Sequence, residues 1–275
     1  MRLKFSKMHG AGNDFMMLDL ISQDYELDSN IIRHWGNRNT GIGFDQLLVV
    51  EPPGNPEVDF NYRIFNSDGS EAEQCGNGAR CFARFVHDQQ LCHKQSLVLE
   101  TISGRMRTLR RPDGVIEVDM GAPGLHDAYS DKVSCNPVSE TLSINSLDVT
   151  FTRISMGNPH AIIFVDDVVQ ANLESIGPAL STHPFFPDGV NVGFAEIVDP
   201  GFMRLRVFER GAGETLACGS GACAAVVAGI LHKKLNNKVK VSLPGGKLRV
   251  SWPDKEASVV LAGQARKVFE ASVQV

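Results

Sequence analysis

Apolar and polar residues alternate through Arg2-Leu3-Lys4-Phe5-Ser6-Lys7, the period-two pattern of a strand with one buried face. The pattern predicts strands over 2–7 and 15–20, joined through His9-Gly10-Ala11-Gly12-Asn13-Asp14. Asp28 stands where the cap of a short helix belongs, with Ile31, Ile32 and Trp35 on the apolar face, His34 as a helix-face residue and Gly36 near the end. The apolar run Leu47–Val50 reads as a buried strand, and Pro52-Pro53-Gly54 as a surface turn. A strand from Val58 to Phe65 delivers the turn Asn66-Ser67-Asp68-Gly69. The spacing then predicts a helix over 77–90 carrying Cys81, Phe82, Phe85 and Val86, with Cys81 in the core, and three short strands over 96–120.

Gly121-Ala122-Pro123-Gly124 breaks the pattern and marks a domain boundary. The second half repeats the order: strands near 149–156 and 160–165, a helix near 171–180, strands near 191–198 and 202–208, and a helix after Cys218. Strands near 238–243, 246–252, 257–262 and 265–273 finish the chain. The helix after Cys218 is small-sided at Ala222, Ala224, Ala225 and Ala228, so neighbours can enclose it on all sides, as in the middle of a curved sheet.

The repeat reaches individual residues. Cys75-Gly76-Asn77-Gly78-Ala79-Arg80 is matched by Cys218-Gly219-Ser220-Gly221-Ala222-Cys223, 143 positions on. Glu71 and Glu214 each stand four residues before their cysteine, and Asn66 and Glu209 nine before. Asn13 pairs with Asn158, and Gln46 with Asn191, both at a separation of 145. Near-equal offsets in one order imply an internal duplication, with two similar halves facing each other across a cleft.

Composition narrows the partners. A chain of 275 residues, 43% hydrophobic, holds enough apolar material for two cores of ordinary size. The net charge of −5, with no run of Lys and Arg, gives no reason to expect nucleic acid or an anionic membrane as partner. The start of the chain lacks the apolar run of an export signal, and no stretch is long and apolar enough to span a bilayer. A cytoplasmic protein with its six cysteines (75, 81, 92, 135, 218 and 223) as thiols is therefore expected.

The candidate chemistry sits at the two cysteines. The first turn of a helix has N–H groups with no partner in the helix, and the aligned peptide dipoles leave partial positive charge there. A carboxylate can dock on that backbone, and the same field favours a thiolate. Two such thiols allow three chemistries. A redox pair has against it the absence of a Cys-x-x-Cys spacing and the placing of the two cysteines in different halves. Hydrolysis by one cysteine with a histidine leaves the second cysteine and the duplication unexplained. Two-base stereoinversion uses both, because inverting a carbon needs an acid/base group on each side. The loop at His9–Asn13 begins like a dinucleotide fingerprint, but Phe15 stands where the third glycine belongs and a strand follows. No metal-ligand spacing, phosphate loop or lysine setting for pyridoxal phosphate is present, so no metal and no cofactor are expected. Asn13 reads either as a left-handed turn residue or as a side chain aimed at a ligand, and its pairing with Asn158 favours the second; for Asn66 the two readings stand level.

The segments His9-Gly10-Ala11-Gly12-Asn13-Asp14-Phe15, Gly43-Phe44-Asp45-Gln46, Asn66-Ser67-Asp68-Gly69-Ser70, Cys75–Arg80, Gly157-Asn158-Pro159-His160, Gly189-Val190-Asn191, Glu209-Arg210-Gly211 and Cys218-Gly219-Ser220-Gly221 together resemble the diaminopimelate epimerase family, over nearly the whole chain. The resemblance implies a pyridoxal-independent isomerase that interconverts LL- and meso-diaminopimelate in lysine and peptidoglycan-precursor biosynthesis. It implies an α+β fold of two pseudosymmetric halves, each a curved, mostly antiparallel sheet wrapped around a central helix. The C-terminal strand would return to the first half, giving domains 1–120 with 263–275 and 121–262. By the same resemblance Cys75 and Cys218 are base and acid, and backbone N–H groups of Gly76, Asn77, Gly219 and Ser220 hold the reacting carboxylate. Asn13, Gln46, Asn66, Asn158, Asn191 and Arg210 match substrate-recognising positions, with Arg210 on the distal carboxylate. Glu209 and His160 match residues near the reacting amine and thiols, a structural role holding the Pro159 loop being the alternative for His160. Homodimers are common in the family, and Phe269 is the expected contact. The rivals are a racemase of proline or another amino acid and a non-catalytic amino-acid-binding module; the related phenazine-biosynthesis isomerase type lacks the cysteine pair.

Overall fold

The computed structural model describes residues 2–73, 75–124 and 139–275. In chain order, β1 (Arg2–Gly10), β2 (Asn13–Asp19), α1 (Ser29–Gly36), β3 (Gln46–Glu51), β4 (Phe60–Asn66), α2 (Gly76–Asp88), β5 (Ser96–Thr101), β6 (Gly104–Arg110) and β7 (Ile116–Asp119) come first. They are followed by β8 (Ser139–Ile144), β9 (Leu147–Ser155), β10 (Pro159–Phe164), α3 (Leu173–Ser181), β11 (Asn191–Asp199), β12 (Phe202–Glu209), β13 (Gly213–Thr215) and α4 (Gly219–Leu231). The last strands are β14 (Lys238–Leu243), β15 (Gly246–Ser251), β16 (Val260–Gly263) and β17 (Arg266–Gln274). The chain divides into two compact units, Met1–Asp119 with Ala262–Val275, and Met120–Leu261.

Each unit is an α+β layer with the same wiring. In the first the strands run β17-β1-β2-β3-β4-β5-β6, with pairings in turn antiparallel, antiparallel, parallel, antiparallel, parallel and antiparallel. In the second they run β8-β9-β10-β11-β12-β14-β15 with the identical series of pairings. Two sheets that agree at six successive junctions repeat one supersecondary plan. The C-terminal strand β17 thus fills in the first unit the place that β8 fills in the second.

Both faces of each sheet are buried, which is why the central strands read as continuous apolar runs. Met16 and Leu18 of β2 join Ile32 and Trp35 of α1 in one cluster. Phe15 and Met17 point to the other face by the period of a strand, where α2 packs on β1, β2, β3, β6 and β7. In the second unit α4 packs on β9, β10, β11, β12 and β15, and α3 on β8, β11 and β12. α4 is buried at Gly219 and continuously from Gly221 to Gly229, as its small side chains predict.

Several boundaries move, for local reasons. β1 and β2 extend to Gly10 and Asn13, which oppose each other. The turn between them is only Ala11 and Gly12, both at positive φ (55° and 91°), the geometry of a tight hairpin that follows the twist of its strands. Asn13 is therefore the first residue of β2. β8 lay outside the predicted elements because its sequence, SETLSI, carries only two large apolar residues. It is fixed by its hairpin with β9 through Asn145 and Ser146, both at positive φ. β13, three residues long, was also missed.

Candidate active site

In the first unit Cys75 is the N-cap of α2, in extended backbone, and its Sγ accepts the N–H of Gly78 at 3.3 Å. Asn13 Oδ1 lies 3.8 Å from Cys75 Sγ and accepts from Asn77 Nδ2 at 3.4 Å. The Asn13 amide is held from its other side, where Nδ2 donates to Asp45 Oδ2 at 2.8 Å. Asp45 in turn belongs to a charged cluster, since Arg38 bridges it to Asp14 and Lys7 meets Asp14 and the carbonyl of Gly43. Hydrogen bonds from Arg38 and Lys7, together with their charge, outweigh the opposing effect of burial and hold the Asp14 carboxyl far below the usual range.

Beneath the first turn of α2 lies Arg80, fully buried, donating to the carbonyl of Gly76 at 3.3 Å and to Asn77 Oδ1 at 2.8 Å. The Tyr62 hydroxyl donates to the carbonyl of Cys75 at 3.4 Å. A Cβ on Gly78 would stand 2.3 Å from that hydroxyl, so glycine is required for the approach. Gln46 and Asn66 face each other across β3 and β4, with Gln46 Nε2 donating to Asn66 Oδ1 at 3.0 Å and Asn66 Nδ2 donating to Ser70 Oγ at 3.1 Å. Gln46 Oε1 is buried and accepts no protein hydrogen bond, so a donor from a ligand would be welcome there.

In the second unit Cys218 caps α4 in the same extended conformation and is 3% exposed. Burial pushes its thiol well above the usual value, and the charge and hydrogen bond of Glu209 add to that; Ser220 and the Gly221 N–H pull the other way. Ser220 Oγ is 3.6 Å from Cys218 Sγ and accepts from Asn158 Nδ2 at 3.4 Å, which joins the same two positions as the Asn13–Asn77 contact with donor and acceptor exchanged. His160 Nε2 lies 3.0 Å from Asn158 Oδ1. A carbonyl oxygen only accepts, so Nε2 carries the proton and the lone pair is on Nδ1, which is buried without a partner. Burial lowers the His160 pKa to about 3 and keeps the ring neutral. Asn191 accepts the backbone N–H of Arg210 at 2.9 Å and donates to the carbonyl of Pro159 at 3.2 Å. The exposed Arg210 guanidinium donates to the carbonyl of Asp188 at 2.6 Å.

The residues singled out from the sequence thus gather by unit. Asn13, Cys75, Gly76 and Asn77 meet at the start of α2, with Gln46 and Asn66 bonded on adjoining strands. Asn158, His160, Cys218, Gly219 and Ser220 meet at the start of α4, with Glu209 on the thiol and Asn191 beside Arg210. Sequence reasoning gave no role to Arg80, Tyr62, Asp45 or Thr215. A usable signal existed only for Arg80, the one charged residue between Gly76 and Ala83 in a stretch of otherwise small, polar-uncharged and apolar residues. Cys81, Cys92 and Cys218 are free thiols, and Cys135 lies outside the described residues. Among the described residues no group of three His, Cys, Asp or Glu is placed to hold a metal, and no helix is long and apolar enough to cross a membrane.

Comparison with solved structures defines the fold class. A hydroxyproline epimerase from Agrobacterium vitis superposes with a TM-score of 0.72 at 14% identity, covering 99% of this chain and 92% of that one. A phenazine biosynthesis protein of the PhzF family from Bacillus anthracis gives 0.70 at 18% identity, covering both chains in full. The fold is therefore one that an amino-acid epimerase also uses. Sequence makes the assignment specific: the diaminopimelate epimerase family model matches twice, at residues 5–125 and 152–268, one match to each half of the duplication. Diaminopimelate epimerases from Pseudomonas aeruginosa, Stutzerimonas stutzeri and Nitrosomonas europaea are 50%, 51% and 49% identical over the full length of both chains. The chain belongs to the diaminopimelate epimerase family of isomerases.

Proposed function

We propose that this protein epimerises LL-diaminopimelate to the meso form with two thiols and no cofactor. The observation that carries the reading is the duplicated helix start with a cysteine as N-cap, in a chain half identical to epimerases of that name along its whole length. One thiolate takes the α-proton and becomes a thiol; the other thiol, on the opposite face of the carbon, gives its proton and becomes a thiolate. Protons therefore balance in each turnover, and the two groups exchange roles in the reverse direction. Backbone N–H groups of Gly76, Asn77, Gly219 and Ser220 receive the carboxylate on which negative charge builds as the α-proton leaves.

Asn13, Gln46, Asn66, Asn158, Asn191 and Arg210 recognise the substrate, the Arg210 fork taking the distal carboxylate. Glu209 serves the reacting amine and the Cys218 thiol. The reading places the enzyme in the cytoplasm, in lysine and peptidoglycan-precursor biosynthesis, as a homodimer that covers Val268 and Phe269 of β17, 59% and 46% exposed in the monomer.

The test is to incubate the reduced protein with LL-diaminopimelate in heavy water and follow configuration and isotope at the α-carbon. Meso product carrying deuterium at the inverted carbon is expected. Inversion without deuterium would overturn the two-base mechanism, and turnover of proline in place of diaminopimelate would overturn the roles given to Arg210 and the asparagines. Light scattering checks the dimer, which Phe269→Glu should dissociate.

A further inference from the structure

The strand before Cys218 holds a contact that the family match does not explain. β12 and β13 pair antiparallel with Glu209 directly opposite Gly213 and Val207 opposite Thr215. Glu209 and Thr215 therefore lie on one face as diagonal neighbours, within reach of each other because Gly213 brings no side chain between them. The Thr215 hydroxyl donates to Glu209 Oε1 at 2.5 Å. The same carboxylate stands near enough to Cys218 that, after burial, it is the main influence holding the thiol's pKa up. On the other face Arg206 grips Glu214 with two parallel bonds of 2.7 and 2.9 Å, which fixes the short strand in register.

The first unit supplies an internal control. Its segment before Cys75 has the same fork, Arg63 on Glu71 at 2.7 and 3.1 Å, and the same bridge of Phe65 with Glu71. At the position equivalent to Glu209 it has Asn66, and at the position equivalent to Thr215 it has Ala72, which has no hydroxyl. The strand, loop and helix start are thus built equally well without a donor at this position. The hydroxyl goes with the carboxylate, not with the fold.

We propose that Thr215 is a positioning residue that fixes the Glu209 carboxylate on the Cys218 thiol. The inference rests on the two-thiol reading above for its catalytic meaning. With Thr215 in place, one carboxylate oxygen is anchored and the group cannot swing away from Sγ. Without it Glu209 recovers its rotamer freedom and holds the thiol proton less well.

The experiment compares Thr215→Val, Thr215→Ser and Thr215→Ala in the full-length reduced protein, reading Cys218 alkylation against pH by mass spectrometry, together with kcat and KM. Thr215→Val should move the Cys218 midpoint down by about one pH unit and lower kcat by about tenfold with KM little changed, the size of one hydrogen bond to a charged group. Thr215→Ser should restore both values. Thr215→Ala, the residue the other unit uses, should fold and behave as Thr215→Val. In a Glu209→Gln background Thr215→Val should leave the midpoint where Glu209→Gln alone puts it. An unmoved midpoint in Thr215→Val and Thr215→Ala, a Thr215→Ser as shifted as Thr215→Val, or an additive shift in the Glu209→Gln background would each overturn the inference. The thiol titration involves no substrate, so a wild-type protein without epimerase activity would sink the proposed function and leave this result standing.

Discussion

Around Cys75 the buried charge is the guanidinium of Arg80, bonded into the first turn of α2; at Cys218 the charge is the carboxylate of Glu209, which helps to raise the thiol's pKa. The backbone is the same at both places, an extended N-cap followed by glycine and a helix of thirteen residues. Arg80 occupies the position of Cys223, and Glu209 that of Asn66. Two exchanges in a duplicated frame thus give one helix start a cation and the other an anion. A cation favours the ionised thiol, whereas an anion favours the protonated one. In the proposed two-thiol reaction that difference would favour one protonation arrangement of the pair over its opposite.

The comparison breaks most severely by removing either sulfur. Cys75→Ala and Cys218→Ala should each lower epimerisation by on the order of 10²–10⁴, the usual worth of an acid or base group, measured by chiral chromatography of the product. Retention of most of the rate by either variant would show that one thiol suffices. Arg80→Leu tests the cation. The midpoint for Cys75 alkylation should rise while that of Cys218 stays, since the variant removes a buried cation from the first turn of the helix that Cys75 caps.

His160→Phe installs the residue that the first unit has at the same place, Phe15, which pairs with Gln46 as His160 pairs with Asn191. The His160 pKa is about 3 in the folded protein against 6.5 ordinarily, so between those values the unfolded chain binds a proton that the folded one refuses. Stability must fall as pH is lowered through that window, by up to a few kcal/mol on the order of magnitude that such a shift implies. The variant should lose this part of the acid sensitivity, seen as a flatter dependence of the urea midpoint on pH. An unchanged slope would refute the assignment. It should also bind substrate more weakly, because Asn158 loses the donor that orients it.

The smallest effect separates two glycines. Gly78→Ala puts a Cβ 2.3 Å from the buried Tyr62 hydroxyl with Leu48 behind it, whereas Gly221→Ala meets Cys218 Sγ and Val207 at 3.2 Å. The first should cost about 1–3 kcal/mol as overpacking does, and the second less, though it presses directly on the thiol. Denaturant melts of the two variants decide the order.

Much of this was legible in the chain. The offsets of 145 and 143 that pair Asn13 with Asn158, Gln46 with Asn191 and Cys75 with Cys218 foretold a duplication, and the two sheets agree at every junction of their shared strand order. Helix α1 begins after Asp28, whose carboxylate accepts from the N–H groups of Asn30 and Ile31 as a cap must. What escaped was what local pattern cannot encode. β8 is a strand because β9 lies beside it, and β13 is too short to carry a period. Asp45 in its motif reads as one more loop acid, and only the fold shows that it holds the Asn13 amide.

The sequence by itself determined the duplication, the placing of a cysteine at the start of each repeated helix, and the apolar runs that bury both faces of the central strands. Each of these depends on residues close together along the chain, where helix and strand periods and turn chemistry act. The tertiary structure decided what stands beside each thiol: Arg80 under one helix start, and Glu209 with Thr215 at the other. Those neighbours are set by strand register and by the rotation of a packed helix, and a shift of one residue in either would turn the same side chains to another face.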